Sequence, residues 1–598
     1  MKSRLAFFAF VLLFLAGVFG QVGNGTITGT VTDPSGAVVS GASVEVKNSE
    51  TGVVYPSVTT ATGNYTATNL PVGTYSVTVT LQGFKTYTHT NLTVAATQKV
   101  SEDITLQVGN TGESVTVAAE TSLLKTESSE MSHNVTVQTL DDVPLLGIGT
   151  LNSGTSGVKN PYNSLEMLPG VSSYASSGQF TLNGLGGNMA ETMRVEGQDS
   201  TSRLFGTYDY TQMGQPSADS IQEIAYQTSN YAAEFGQAGS VVINMTMRSG
   251  TNAYHGTVYD YFVNEALYAH QSFDHARNRN RRNDFGGSVG GPIRIPWLYN
   301  GTNKTFFFFN YERFIESTIV SNQVTTVPTV AYRSGNFSNL LSGRAFTGAL
   351  ATDGLGNKML EGMIFDPLTE RTAPNGTRAR LQFPGNIIPV SRLDPSAVKL
   401  QNLIPLPNLG PATQLTNNFV NPFPSNRATP IPSIKVDHSF NTKLKISGYY
   451  SSTTTEVKYS PGGFALSEGF PDTITQTRGT YIYSRTYRGN LDYSIRPNLL
   501  FHFGAGYIVN DFNDTAPITN FDMVGVLGIS GGTLGPNTGA RIPVFGTTLG
   551  PNSLGGMAVM GPATGQVRAL LQRPTGNLSL SWIRGNHSYK FGGEVRFD

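Results

Sequence analysis

Leu499-Leu500-Phe501-His502-Phe503-Gly504-Ala505-Gly506-Tyr507-Ile508-Val509-Asn510 reads as a β-strand with two incompatible faces. Successive side chains of a strand point to opposite sides. Leu499, Phe501, Phe503, Ala505, Tyr507 and Val509 therefore form an aromatic and aliphatic stripe. Leu500, His502, Gly504, Gly506, Ile508 and Asn510 form a smaller, more polar face. Near the end of the chain, Tyr589, Phe591, Val595 and Phe597 alternate with Lys590, Glu594 and Arg596 in the same way. A soluble β-sandwich would bury the apolar stripe. A membrane barrel would turn it to lipid and keep the polar set inside.

Composition narrows the choice. The chain has 598 residues, room for several domains, and only 13% are charged, against about a quarter in ordinary soluble proteins. With 67 Gly, 31 Pro and 10% aromatic residues, it reads as many short strands joined by turns, too aromatic for a disordered chain. A net charge of +0 offers no bulk attraction to nucleic acid. There is no cysteine, so disulfides, thiolate metal sites and a Cys-linked lipid anchor are excluded.

Lys2 and Arg4 precede an apolar run from Leu5 to Phe19, with Gly20 before Gln21 as a small residue at a cleavage point. This is the layout of a secretory signal peptide over residues 1–20. The run falls short of the about 20 residues that a spanning helix needs. No later segment is apolar for long enough, so membrane insertion, if it occurs, uses strands.

Thr26–Thr32, Ala42–Lys47 and Thr74–Leu81 read as strands, with Asp33-Pro34-Ser35-Gly36 as a turn. Gly29-x-Val31-x-Asp33-x-x-Gly36, Gly63-x-Tyr65, Leu70-Pro71-x-Gly73-x-Tyr75 and Gly83-Phe84 together resemble the carboxypeptidase regulatory-like domain. No His-x-x-Glu zinc pair accompanies them. The resemblance thus implies a structural or recognition module with a carbohydrate-binding-like fold, and no peptidase. Glu113, Ser114, Val115, Thr116 and Val117 follow, and resemble the TonB box of TonB-dependent receptors. A free extended segment of this kind would add a strand to a partner through main-chain hydrogen bonds.

Asp141-Asp142-Val143-Pro144-Leu145, Leu165 to Val171, Phe180-Thr181-Leu182-Asn183-Gly184, Met193-Arg194-Val195-Glu196-Gly197, Ser220 to Ile224 and Gly239 to Asn244 resemble, in that order, the plug domain of the same receptors. Glu196 departs from the Asp-Gly usual there, while the turn glycine remains. Gly184-Leu185-Gly186-Gly187 has neither Rossmann spacing nor a following Lys-Ser/Thr, which rejects a phosphate loop. Tyr254-His255-Gly256-Thr257, Arg282 to Ile293, Lys304 to Glu312, Pro384 to Pro389, Arg392 to Pro395 and Leu403 to Asn408 resemble the Oar-like subgroup of TonB-dependent receptors. A long irregular loop from Arg313 to Thr429 opposes tight turns at Asn441-Thr442 and Arg496-Pro497-Asn498, the asymmetry of an outer-membrane barrel.

The expected fold is mostly β: a small sandwich over 21–110, a linker over 111–122 carrying the box, an α+β plug over 123–252, and an incomplete antiparallel barrel over 253–598. About ten strands can be read from Tyr254 to Phe597, against about 22 in plugged transporters. The chain therefore reads as part of a longer barrel, although Lys590-x-Gly592-x-x-Val595-x-Phe597 resembles the final strand that barrels use for insertion. Tyr481, Tyr483, Tyr487 and Tyr493 are candidates for an interfacial aromatic girdle, with simple strand packing as the alternative.

Catalytic chemistry is not evident. The eight histidines are scattered, and His270, Asp274 and His275 read as a solvated loop. Glu113, Glu120 and Glu127 lie without partners in the expected linker. No metal or cofactor is called for. Arg277, Arg279, Arg281 and Arg282 form the one local basic cluster, read first as a solvated external loop and otherwise as a candidate contact for anionic headgroups or an anionic ligand. The resemblance implies a receptor in the outer membrane with a periplasmic N-terminal domain. Its partners would be lipid, a TonB-type energy-transducing protein and a carbohydrate, peptide or metal-chelate ligand. The rival is a surface adhesion or assembly protein that uses the barrel as an anchor.

Overall fold

A computed structural model describes residues 23–117, 128–143, 161–174, 179–182, 185–186, 191–201, 215–236, 239–267, 269, 279–320, 324–460, 470–475, 478–515, 518, 521–530, 560 and 567–597. The signal-peptide segment and Arg277, Glu120, Glu127, His270, Asp274 and His275 lie outside these residues.

Nine strands build the N-terminal sandwich: β1 (Gly25–Thr32), β2 (Ser43–Asn48), β3 (Val54–Val58), β4 (Asn64–Leu70), β5 (Gly73–Thr80), β6 (Thr86–Val94), β7 (Lys99–Ser101), β8 (Ile104–Thr105) and β9 (Ser114–Val117). One sheet runs β4-β1-β7 with β8 also on β1, and the other runs β3-β2-β5-β6-β9. Strict alternation drives the pairing. Ile27 and Val31 from one sheet meet Val44, Val46, Val77 and Val79 from the other, all wholly buried. The expected turn is present: Gly36 N–H donates to the Asp33 carbonyl, and the Asp33 carboxylate accepts from the amides of Ser35 and Ala37. The three strands read from the sequence lie within a residue of β1, β2 and β5.

The next layer holds β10 (Met131–Thr136), β11 (Val171–Tyr174), β12 (Gln179–Leu182), β13 (Leu185–Gly186), β14 (Glu191–Val195), β15 (Gln198–Asp199), β16 (Ile221–Ser229) and β17 (Val241–Met247). Five of them form a mixed sheet in the order β10-β16-β17-β14-β15, with β14 and β17 parallel. Ile221, Ile224, Tyr226 and Ile243 are fully buried, and Tyr449 of the surrounding wall joins their core. Both faces of β16 and β17 are covered, so these strands read as nearly continuous buried runs rather than alternating ones.

The wall comprises β18 (His255–Val263), β19 (Asn280–Pro292), the small hairpin β20 (Arg294–Ile295) and β21 (Tyr299–Asn300), and β22 (Thr305–Val320). After the hairpin β23 (Arg371–Thr372) and β24 (Arg378–Ala379) come β25 (Phe423–Ser439), β26 (Leu444–Ser460), β27 (Arg478–Arg496), β28 (Leu499–Thr515), β29 (Val567–Arg584) and β30 (His587–Arg596). Nine of these pair antiparallel in chain order, β18-β19-β22-β25-β26-β27-β28-β29-β30. Among the described residues β18 pairs only with β19, and β30 only with β29. The strand quoted at the outset divides as expected: His502, Gly504, Ile508 and Asn510 are buried on the inner face, while Phe503 and Ala505 are exposed on the outer one.

Connections at one end are short: Ser439 to Leu444, Arg496 to Leu499 and Arg584 to His587. Those at the other end are long. The longest spans 321–422, shorter than the expected Arg313–Thr429 because β22 and β25 extend well past the membrane-sized length. Its described residues, 324–422, hold little regular structure but are tied together by long-range contacts. The buried Asn386 amide donates to the carbonyls of Phe337 and Gly362 and accepts from Ile364 N–H. Asp394 caps the helix Pro395–Gln401 at the Ala397 amide, and the Arg333 guanidinium donates to the carbonyls of Gln401, Ile404 and Pro405 at its other end. Val327, Ile404, Phe419, Phe470, Ile474, Leu527 and Met560 then join three long loops through one apolar core.

Candidate functional site: the plug in its wall

A tight hairpin of the plug reaches into the wall. Val195 pairs with Gln198, and the two residues between them, Glu196 (φ 53°) and Gly197 (φ 75°), both take left-handed conformations. That is a type I′ turn, whose twist suits a two-residue hairpin. Glu196 bears the conformational cost because its carboxylate is used twice. It accepts from Met247 N–H at 2.7 Å and from the Lys435 ammonium at 2.9 Å.

Gln198 and Asp199 then run into a cage of wall side chains. Gln198 Nε2 donates to the Gly489 carbonyl (3.1 Å) and Asn490 Oδ1 (3.0 Å). Arg488 Nη2 donates to the Asp199 carbonyl at 2.8 Å, and Arg596 Nη1 lies 3.2 Å from Asp199 Oδ2. Arg573 Nη1 lies 3.6 Å from Asp199 Oδ1 and also donates to the Thr201 carbonyl. From the plug, Arg194 forks onto both oxygens of Glu594 at 3.0 Å. Planar guanidinium–carboxylate pairing of this kind fixes orientation as well as charge.

The wall strand makes room for this hairpin. A Cβ on Gly506 would stand 2.2 Å from Gln198 Oε1 and 2.3 Å from Arg488 Nη1, and one on Gly504 would stand 2.1 Å from Asn577 Oδ1. Gly506 is therefore the seat of the plug hairpin, while Gly504 makes room for the wall's own Asn577, which donates to the Gly197 carbonyl at 3.2 Å.

A second contact lies on the other side. Ser217 Oγ and the Tyr259 phenol donate to Glu312 Oε2 at 2.5 and 2.9 Å, and Thr257 Oγ1 donates to Asp219 Oδ2 at 2.9 Å. The sandwich closes the short-turn end. Asn64 donates to Asn586 at 2.8 Å, Asn69 donates to Asp492, and Lys445 Nζ lies 3.3 Å over the Tyr55 ring while also donating to the Val54 carbonyl.

Other expected site residues fall differently. Ser114–Val117 is not a free linker: it is β9, the edge strand of the sandwich, parallel to β6 with Thr86↔Ser114 and His89↔Val117 in register. Its β-prone backbone finds partners on the open edge of β6, and Glu113 pairs with Lys85 at 2.6 Å. The arginine cluster splits, because neighbouring strand residues face opposite ways. Arg282 turns inward onto Glu316 at 2.8 Å, Arg281 turns outward onto Glu265 at 2.8 Å, and Arg279 is exposed at the start of the strand. The hydrogen bond from Arg281 holds the Glu265 carboxyl down at about 2. The four tyrosines share the outer side, but Tyr481 and Tyr493 stand near opposite ends of β27 and Tyr487 sits midway, so they are not one girdle. Among the described residues no group of three or more His, Cys, Asp or Glu side chains gathers as a metal site.

Residues 246–598 match the outer membrane beta barrel domain family, and residues 26–107 match the carboxypeptidase regulatory-like domain. The chain belongs to the outer membrane beta barrel domain family. It is an outer-membrane protein, and the apolar outer stripe of its wall faces lipid. It is homologous to the TonB-dependent transporter Oar of Myxococcus xanthus, with 24% identity over 340 residues, 53% of this chain and 30% of Oar. Similar solved structures include the outer membrane transporter YddB of Escherichia coli (10% identity, TM-score 0.42, 78% of this chain and 50% of that one). The ferric enterobactin receptor of Pseudomonas aeruginosa is also similar (12% identity, TM-score 0.39, 78% and 48%). The chain thus spans about half the length of these solved barrels and under a third of Oar.

The caging side chains Arg488, Arg573, Lys435 and Asp199 were not singled out from the sequence. A usable signal existed: charged residues on the inward phase of strands, in a chain with only 13% charge, need a buried partner.

Proposed function

We propose that this outer-membrane protein is a TonB-dependent receptor that imports a scarce or large ligand, a carbohydrate, peptide or metal chelate, at the expense of inner-membrane energy. The observation that carries this reading is the polar character of the plug–wall contact. Separating a buried ion pair into water returns the hydration of both charges, which offsets much of the lost attraction, whereas parting an apolar contact would expose apolar surface at every opening. Arg194–Glu594, Glu196–Lys435 and the Asp199 cage could therefore separate and re-form as the plug rearranges. The sandwich and Glu113–Val117 would stand in the periplasm, within reach of a TonB-type partner, and the long loops would meet the ligand outside.

Deletion of Glu113–Val117 tests the reading in cells offered radiolabelled glycans, peptides and iron chelates. Parent cells should accumulate one class, and a protonophore should stop them. The deletion should abolish accumulation and leave surface binding unchanged. Accumulation equal to the parent would refute the assignment. The adhesion or assembly reading is second, favoured by aliphatic side chains such as Leu368 and Val390 that the ordered outer loop exposes. It expects binding that no protonophore affects.

A further inference from the structure

The strand that resembles a coupling segment is already part of a sheet. Backbone bonds zip the chain along β6 well before β9 begins: Lys85 N–H donates to the Gln107 carbonyl, Gly109 N–H to Gly83, and Thr86 N–H to Glu113. Val115 and Val117 are half-buried on the same side as Tyr87 and the buried His89, while Ser114 and Thr116 are exposed. Among the described residues no strand pairs with the far edge of β9. An open edge of this kind presents unpaired N–H and C=O groups to any incoming strand.

Resting on the proposed function above, we infer that the TonB-type partner adds its own strand to the free edge of β9 while β9 stays bound to β6, so that the sandwich moves as the grip through which force arrives. Two physical points favour this over extraction of the segment. Addition leaves the β6–β9 ladder and the zipped residues intact, whereas extraction would expose a new edge on β6. The sandwich also stands against the short-turn mouth through a few polar contacts, at Asn586, Asp492 and Lys445. Contacts of that kind exchange readily with water, so a pull on the sandwich would uncover the mouth and load the plug together.

A disulfide distinguishes the two routes. Thr88 and Thr116 are register partners on the outer side of the β6–β9 pair, and adjacent strands lie within disulfide reach. The chain has no cysteine of its own, so Thr88→Cys/Thr116→Cys in the full chain creates one bridge. The probe is the purified periplasmic domain of a TonB-type protein, titrated against the receptor in detergent. Oxidised and reduced receptor should bind it with affinities within about threefold, because main-chain addition does not need β9 to leave. Binding lost on oxidation and recovered on reduction would overturn the inference and establish extraction. Failure of the reduced form to bind, or undiminished binding by the Glu113–Val117 deletion, would instead overturn the assignment of the box and the inference with it. A second bridge, Thr86→Cys/Ser114→Cys, repeats the test in case the first pair misfolds.

Discussion

Gly506 offers the sharpest test of the seat described for the plug. In Gly506→Ala, the new methyl would stand 2.2 Å from Gln198 Oε1, 2.3 Å from Arg488 Nη1 and 2.7 Å from Thr575 Oγ1. Ordinary contact begins near 3.4 Å, so all three must retract, the closest two by more than 1 Å. They are not free to do so. Gln198 is tied to Gly489 and Asn490, Thr575 Oγ1 donates to Gln198 Oε1, and Arg488 Nη1 donates to Thr575 Oγ1. Retraction breaks the last two bonds at least, and their atoms are buried. Overpacking and buried bonds left unmade together cost about 2–4 kcal/mol. Gly448→Ala is the control, since a methyl there meets nothing within 4 Å on the outward side. It should be neutral or slightly stabilising through the unfolded chain. Thermal unfolding in detergent, together with protease cleavage of the plug, reads the difference. Equal melting and equal plug protection in Gly506→Ala, Gly448→Ala and parent would refute the packing argument, because it depends on the hairpin lying against that strand.

Lys435→Met keeps the volume but leaves the buried Glu196 carboxylate with Met247 N–H and no cation. Breaking a buried pair from one side costs about 3–5 kcal/mol, so the melting transition should fall sharply, and Lys435→Met/Glu196→Gln should recover much of it. The outer loop at Glu265 should respond to acid. Its carboxyl sits at about 2 when bonded to Arg281, below the ordinary range near 4.3, so the bond's contribution is complete above the ordinary value and fades as pH falls toward 2. The protection of amides around residue 265, taken as exchange relative to the intrinsic rate at each pH, should fall on acidification from pH 5 to pH 2.5 in the parent. Glu265→Gln should show low protection at every pH, and a parent protection profile as flat as the variant's would contradict the pairing.

Much of this molecule is decided by local pattern. The alternation in Leu499–Asn510 assigns an inner and an outer face, and Asp33-Pro34-Ser35-Gly36 dictates its own turn, because period and turn chemistry depend only on neighbours along the chain. The short turns at 441–442 and 496–498 are legible for the same reason. The order of the long connection is not legible in this way, because it comes from contacts between distant residues: Asn386 with Phe337 and Gly362, and Arg333 with the end of a helix some seventy positions later. Glu113–Val117 likewise has the composition of a strand, but nothing in those five residues says that β6 already holds them.

The same division holds at the plug. Sequence alone determined that Gly504 and Gly506 sit on the small face of a strand, and that Glu196-Gly197 makes a turn. Only the tertiary structure decided that Gln198, beside that turn, fills the space that Gly506 leaves. Steric room and charge pairing are properties of two surfaces brought together, and Arg194 and Glu594, or Asp199 and Arg596, are about four hundred residues apart along the chain until the wall folds against the plug.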